Sequence, residues 1–187
     1  MSSNKPRAEV LIEGELSPFE HEMLYRILRK SFNLEQPSYT ELQEDSLTTL
    51  VNVTFHYPYE STFFTEVFRE NWRELKSLFK NIQYRRGRAG AAFKLRFIGK
   101  DSELTFIPGT LDNDDAILSA MDQIGHLTGI VKQMIGPQTT SEGSVRFVKA
   151  FYDKNSDRWN KFTGLSSNKQ HEYVFNEESF RWIPVHE

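Results

Sequence analysis

Between Thr62 and Ile98 the apolar residues change their spacing once, and that change limits what can surround them. Phe64, Val67, Phe68, Trp72, Leu75, Phe79 and Ile82 recur at three- and four-residue intervals, the stripe of a helix with one buried side. From Ala91 to Ile98 the interval is two, with Phe93, Leu95 and Phe97 on one side and Lys94 and Arg96 on the other, as in a half-buried strand. Gly87 lies between them, where a helix-ending glycine is expected. A helix and a strand that each bury one side need a shared core, which predicts a layered α+β fold.

The flanking chain repeats this grammar. Residues 1–7 read as a flexible tail. Ala8 to Leu16 reads as a strand. Ser17-Pro18-Phe19-Glu20 supplies a serine cap, a proline at the first helical position and a following acid, so a helix starts there, carrying Met23, Leu24, Ile27, Leu28 and Phe32. Residues 33–46 show no period and are expected to be loop. Thr48 to Tyr57 alternates, with Val51, Val53 and Phe55 facing one way and Asn52, Thr54 and His56 the other. Glu103 to Ile107 should return on Ala91–Ile98 as a hairpin. Asp112 is placed to cap a helix carrying Ile117, Met121, Ile124, Leu127, Val131 and Ile135, stopped by Gly136-Pro137. Further strands are expected at 144–152, 161–165, 172–175 and 180–185.

From Thr48 to Tyr152 the order is strand, helix, strand, strand, helix, strand. That order predicts a ferredoxin-like βαββαβ core over residues 48–152, an antiparallel sheet with both helices on one face. An N-terminal βα unit precedes it and a β extension follows, within one domain spanning 8–187. The open face would display Asn52, Thr54, His56, Lys94, Arg96, Glu103 and Thr105, joined by Arg146.

Charge is distributed unevenly. Lys76, Lys80, Arg85, Arg86, Arg88, Lys94, Arg96 and Lys100 fall in 25 residues with no acid between Glu74 and Asp101. The whole chain sums to −3, so the remainder carries −11. A concentrated basic tract attracts polyanions by its local field. The leading expectation is therefore a non-enzymatic, nucleic-acid-binding domain, with RNA the favoured partner and another polyanion possible. Lys80, Arg85, Arg86, Arg88, Lys94 and Arg96 would contact phosphate, with His56 and Tyr84 as base neighbours. The plainer reading is that the helical cations complement a helix C-terminus while Lys94 and Arg96 are a solvated sheet face.

Two alternatives stand beside it. A protein-interaction or homo-oligomerisation module would use the tract against an acidic partner or a second copy; abundant aromatics and the exposed-looking Trp159 and Trp182 favour it. So does the four-residue spacing of Gly125 and Gly129, which permits a close contact. A phosphoester-processing enzyme would use His56, set between two cations, as a base and Lys94 and Arg96 as phosphate clamps.

The remaining motifs exclude more than they suggest. There is no cysteine, so disulfides, thiolate metal sites and cysteine nucleophiles are absent. No apolar run reaches the roughly 18 residues of a membrane span, and no leader is evident, so a cytoplasmic location without a membrane partner is expected. His21, His56, His126, His171 and His186 form no metal spacing, and no cofactor is expected. Asp153-Lys154-Asn155-Ser156-Asp157 lacks the glycine and closing glutamate of a calcium loop, with Arg158 and Gly164 in their places, and reads as a hairpin turn. Asp112-Asn113-Asp114-Asp115 reads as a helix start, where acids are expected. RNA-recognition motifs share the βαββαβ order but carry exposed aromatics on their central strands; Asn52, Thr54, His56 and Thr105 offer none. Gly87-Arg88-Ala89-Gly90 has the form of a KH loop, but a strand rather than a second helix should follow. No family is recognised.

Overall fold

Ser17 starts the first helix as its sequence dictates. Its Oγ accepts from the Glu20 amide while the Glu20 carboxylate accepts from the Ser17 amide, a reciprocal capping box. In the computed structural model, which describes residues 5–35, 49–87, 90–108, 114–135, 140 and 144–185, this helix is α1 (Pro18–Arg29). It follows strand β1 (Arg7–Glu13) and precedes β2 (Asn33–Glu35). The other strands are β3 (Thr49–Phe55), β4 (Ala91–Ile98), β5 (Glu103–Ile107), β6 (Val145–Asp153), β7 (Arg158–Ser166), β8 (Glu172–Asn176) and β9 (Arg181–Pro184). The other helices are α2 (Arg69–Arg86), α3 (Asp114–His126) and α4 (Thr128–Met134).

All nine strands join one mixed sheet, in the order β2-β1-β3-β4-β5-β6-β7-β8-β9. The helices line one face, where side chains from Ala8 to Trp182 form a single apolar cluster. Three parallel pairs, β1 with β2, β3 with β4 and β5 with β6, each span a helical crossover. The β3 and β5 units run in opposite directions yet step the same way across the sheet with helices on the same face. Their crossovers therefore have opposite hands, and one of them departs from the usual right-handed rule.

This pairing corrects the ferredoxin-like expectation. That fold leaves a gap between the parallel strands for another strand to fill. Here β3 lies directly against β4, from Thr49 opposite Ala91 to Phe55 opposite Phe97. Its other edge is taken by β1. The far edge of β6 is taken by β7 through a short local hairpin, which closes at less entropic cost than a distant pairing. Element order and face were legible in the sequence; the competition between strand edges was not.

Smaller differences have local causes. Arg7 belongs to β1 rather than to a tail. Residues 33–35, expected as loop, form a short parallel edge strand, fixed where the Asn33 amide donates to the Pro6 carbonyl at 2.9 Å. The long helix does not start as an α-helix: Phe63–Val67 is a π-helical turn in which the Phe68 amide donates to the Phe63 carbonyl at 2.8 Å. Gly87 ends α2 with φ at +53°. The last helix breaks at Leu127 into α3 and α4. The expected cap at Asp112 and the expected stop at Gly136-Pro137 lie outside the described residues. The C-terminal strands extend the sheet, and no described helix lies on its second face. No described helix is long and apolar enough to cross a membrane.

Both late tryptophans correct the exposed reading. Trp159 and Trp182 are buried, and their indole N–H groups donate to Ala120 and Met134 carbonyls at 2.9 and 2.8 Å, pinning α3 and α4 to the sheet. Gly164 makes room for this docking. A Cβ there would collide with Val145 Cγ1 and lie 3.1 Å from the Trp182 ring. We predict that Gly164→Ala destabilises the fold by roughly 1–3 kcal/mol through overpacking. Gly129→Ala, whose Cβ would meet nothing within 4 Å, should be neutral or stabilising by up to about 1 kcal/mol. Urea unfolding midpoints of the two variants against the parent check this.

Candidate functional site

The helix-to-strand turn at Gly87 divides the basic tract between two sides of the molecule. Lys76, Lys80, Tyr84, Arg85 and Arg86 ride on α2, in the helix layer; Lys94 and Arg96 point from β4 to the open sheet face. Lys76, Lys80, Arg85 and Arg86 are thus separated from Lys94 and Arg96 by the thickness of the sheet, and the expected single patch is divided. Arg88 lies outside the described residues.

Most of these cations are engaged by the protein itself. Arg85 donates from Nε and Nη2 to the two oxygens of Glu20, both at 2.6 Å. Glu20 is only 5 % exposed. Arg86 lies 3.9 Å from Glu15, and Lys76 pairs with Asp122. Arg96 makes a bidentate pair with Glu103, both bonds 2.7 Å. That pair holds the Arg96 guanidinium above its usual range, through the Glu103 hydrogen bonds first, despite partial burial. These contacts cross-link elements and give Arg85, Arg86 and Arg96 structural partners that neither the phosphate-contact reading nor the plainer one had named. Tyr84 is 78 % exposed, on the helix side and away from the open face.

His56 does reach the open face, but not between two cations. Its Nε2 lies 2.6 Å from Glu9 Oε1 and its Nδ1 3.5 Å from Arg7 Nη2. The nearest charged partner is a carboxylate, which corrects the environment expected for a base on a phosphoester. Lys94 borders a depression of about 250 Å³ with Glu9, Leu11, Asn52 and Arg96. Asn52 Oδ1 is buried there with no hydrogen-bond partner among the described residues.

A second group on the same face was not singled out from sequence. Phe147, Lys149 and Phe151 alternate along β6 and stand opposite Leu165, Thr163 and Lys161 of β7. Both phenylalanines are half-buried and Lys149 is exposed. Lys169 Nζ sits 4.5 Å from the centre of the Phe147 ring, and Lys161 Nζ 5.9 Å from that of Phe151. Lys169 reaches its ring from a turn that holds it at φ +59°, a left-handed conformation uncommon outside glycine. Its amide donates to the Ser166 carbonyl at 2.9 Å, and the Asn168 side chain braces the same turn. Lys94, Lys149, Lys161 and Lys169 make no ion pair among the described residues.

The signal for this group was an ambiguity. Both alternations of 145–152 are apolar, with Val145, Phe147 and Phe151 on one and Val148, Ala150 and Tyr152 on the other. A β-bulge between Val145 and Phe147 turns Val145 inward and sends Phe147, Lys149 and Phe151 out. Across the sheet, Arg96, Thr105, Lys149, Thr163 and Val174 form one continuous cross-strand row.

Among the described residues no group of three side chains is arranged to hold a metal ion. The Asp153 turn is closed internally, its carboxylate accepting from the Asn155 amide at 3.0 Å and Ser156 Oγ at 2.8 Å. Asp112 and Asn113 lie outside the described residues.

The Arg85–Glu20 pair yields a pH prediction. Burial pushes the Glu20 carboxyl up, but the Arg85 guanidinium and the Ser17 amide and hydroxyl outweigh it and leave it below the ordinary glutamate range. A lowered folded value adds stability at pH above about 4.5, which fades as pH falls through that lowered value. Glu20→Gln should therefore cost about 1–2 kcal/mol at pH 7, since Arg85 stays partly solvated, and progressively less below pH ~4. Urea unfolding of both proteins from pH 7 to pH 3 checks it.

No protein-family model, no curated protein and no solved structure matches this chain.

Proposed function

We propose that the protein binds single-stranded nucleic acid, RNA foremost, on the sheet face opposite its described helices, without catalysing a reaction. The observation that carries this reading is the Phe147–Lys149–Phe151 column with Lys161 and Lys169 poised on its rings. Single strands are held by flat aromatic surfaces that stack bases and by cations that follow the backbone. Residues two apart on a strand stand about 7 Å apart, so Phe147 and Phe151 offer two stacking positions with a cation between. Lys161 and Lys169 cover those rings in the free protein. Their long stems allow them to swing to phosphate when a base takes the ring. Lys94 extends the same face toward β3. Arg96 and His56 line that face, tied to Glu103 and Glu9; Lys80, Tyr84, Arg85 and Arg86 fall outside the binding surface.

A protein-interaction or homo-oligomerisation module is the second reading. It is favoured by Val174 and Ile183 on the last two strands and Val185 just beyond them, all exposed apolar residues. The phosphoester-processing alternative has less support, because His56 and Arg96 are each occupied by a carboxylate.

Fluorescence anisotropy of a labelled mixed-sequence octaribonucleotide tests the proposal. The logarithm of affinity should fall with the logarithm of salt at a slope of about −1.5 to −3, for two to four phosphates on a single strand. Phe147→Ala and Lys149→Glu should each weaken binding about tenfold or more, while Tyr84→Ser leaves it unchanged. A flat salt response, or equal losses at Tyr84 and Phe147, overturns it. Sedimentation of the free protein as a dimer that Ile183→Glu dissociates would favour the second reading instead.

A further inference from the structure

Beside Phe147 the open face sinks into a depression of about 310 Å³, at the low end of the about 300–1,000 Å³ usual for small-ligand sites. Its cross-section is set by register: Phe147 stands opposite Leu165, and Leu165 opposite Glu172. One strand therefore separates the aromatic ring from the carboxylate, a Cα separation of about 10 Å at normal strand spacing. Leu165 and Val174 give an apolar floor, and Thr163 and Lys149 stand along the near side. The Glu172 side chain is exposed and has no hydrogen bond or ion pair among the described residues. Its backbone alone is used, the carbonyl accepting from the Val185 amide at 2.9 Å.

A free carboxylate is out of place on a surface that attracts phosphate, because it repels the backbone. It is well placed to accept hydrogen bonds from the edge of a base lying on Phe147. The four bases differ in what they offer. Guanine presents two adjacent donors, N1–H and the N2 amino group, spaced to meet both oxygens of one carboxylate. Adenine and cytosine each present one amino group on that edge, and uracil one ring N–H. We infer that this depression is a guanine-selective subsite, with Phe147 stacking the base and the Glu172 carboxylate accepting from N1–H and N2–H. Lys149 meets the adjoining phosphate. The inference rests on the single-strand reading above and adds base identity to it.

The test compares uridine octamers carrying one central guanosine, inosine, adenosine or cytidine, measured by anisotropy on the full-length chain. The guanosine strand should bind about tenfold tighter than the adenosine, cytidine and all-uridine strands, the discrimination expected of one bidentate base contact. The inosine strand, lacking the N2 amino group, should lose most of that gain. Glu172→Gln should erase the preference while the all-uridine strand binds as well as before or better, since a repelling charge is gone. A circular dichroism melt shows whether that surface variant is folded. Strands bound equally within twofold, or a guanosine preference that survives Glu172→Gln, overturn the inference while leaving the single-strand reading intact. If no strand binds, both fall. If free GMP competes as strongly as the guanosine strand, the subsite serves a free nucleotide and the strand assignment is overturned.

Discussion

The contact on which the rest depends is the stack of aromatic rings around Phe63. Its ring lies 4.9 Å from Phe55 of β3, 5.0 Å from Phe97 of β4 and 5.7 Å from Phe68 at the start of α2. Phe32, after α1, touches the same group, and Phe106 of β5 continues it to Trp159 of β7. These rings join the N-terminal, central and C-terminal strand units beneath one helix layer. The π turn makes it possible. Phe63 and Phe68 are five residues apart, a spacing that an α-helix turns away from each other; the wider turn brings both rings over the sheet.

Anchoring that layer on one face decides what the opposite face can be. The strands from β3 to β9 send most of their large apolar residues toward the helices, β6 with its outward Phe147 and Phe151 being the exception, which leaves alternate positions for polar and charged groups. The chain places its structural ion pairs at the borders of this arrangement: Arg85 with Glu20 between two helices, Arg96 with Glu103 across a hairpin. Among the described residues, the cations left without an ion pair on the open face include Lys94, Lys149, Lys161 and Lys169, the last two resting on phenylalanine rings. A linear tract of positive charge thus says little about a surface until it is known which cations the fold consumes.

The sequence was a good guide wherever one period dominated. Alternation in Thr48–Tyr57 and Ala91–Ile98 placed Asn52, Thr54, Lys94 and Arg96 on the open face, and the Ser17 cap and the Gly87 stop lie where their chemistry requires. It was a poor guide where two solutions satisfied the same pattern. Nothing local distinguishes β3 paired with β4 from β3 paired with a later strand, and both alternations through β6 are apolar. The bulge that resolves β6 is a tertiary outcome, and so are the ion pairs that withdraw Arg85 and Arg96. Trp159 and Trp182 looked exposed because short C-terminal strands carry few apolar neighbours in sequence; their neighbours are carbonyls and side chains from helices some 40 residues earlier.

The placement of the indoles has an optical consequence. Trp72, Trp159 and Trp182 are the only three in the chain, and each is less than a tenth exposed on the helix-covered side. Their emission is therefore a built-in gauge of whether the helices are seated on the sheet. A molecule settling on the far side, where no indole stands, leaves that glow almost untouched, so loss of structure and occupancy of the surface can be told apart in one cuvette.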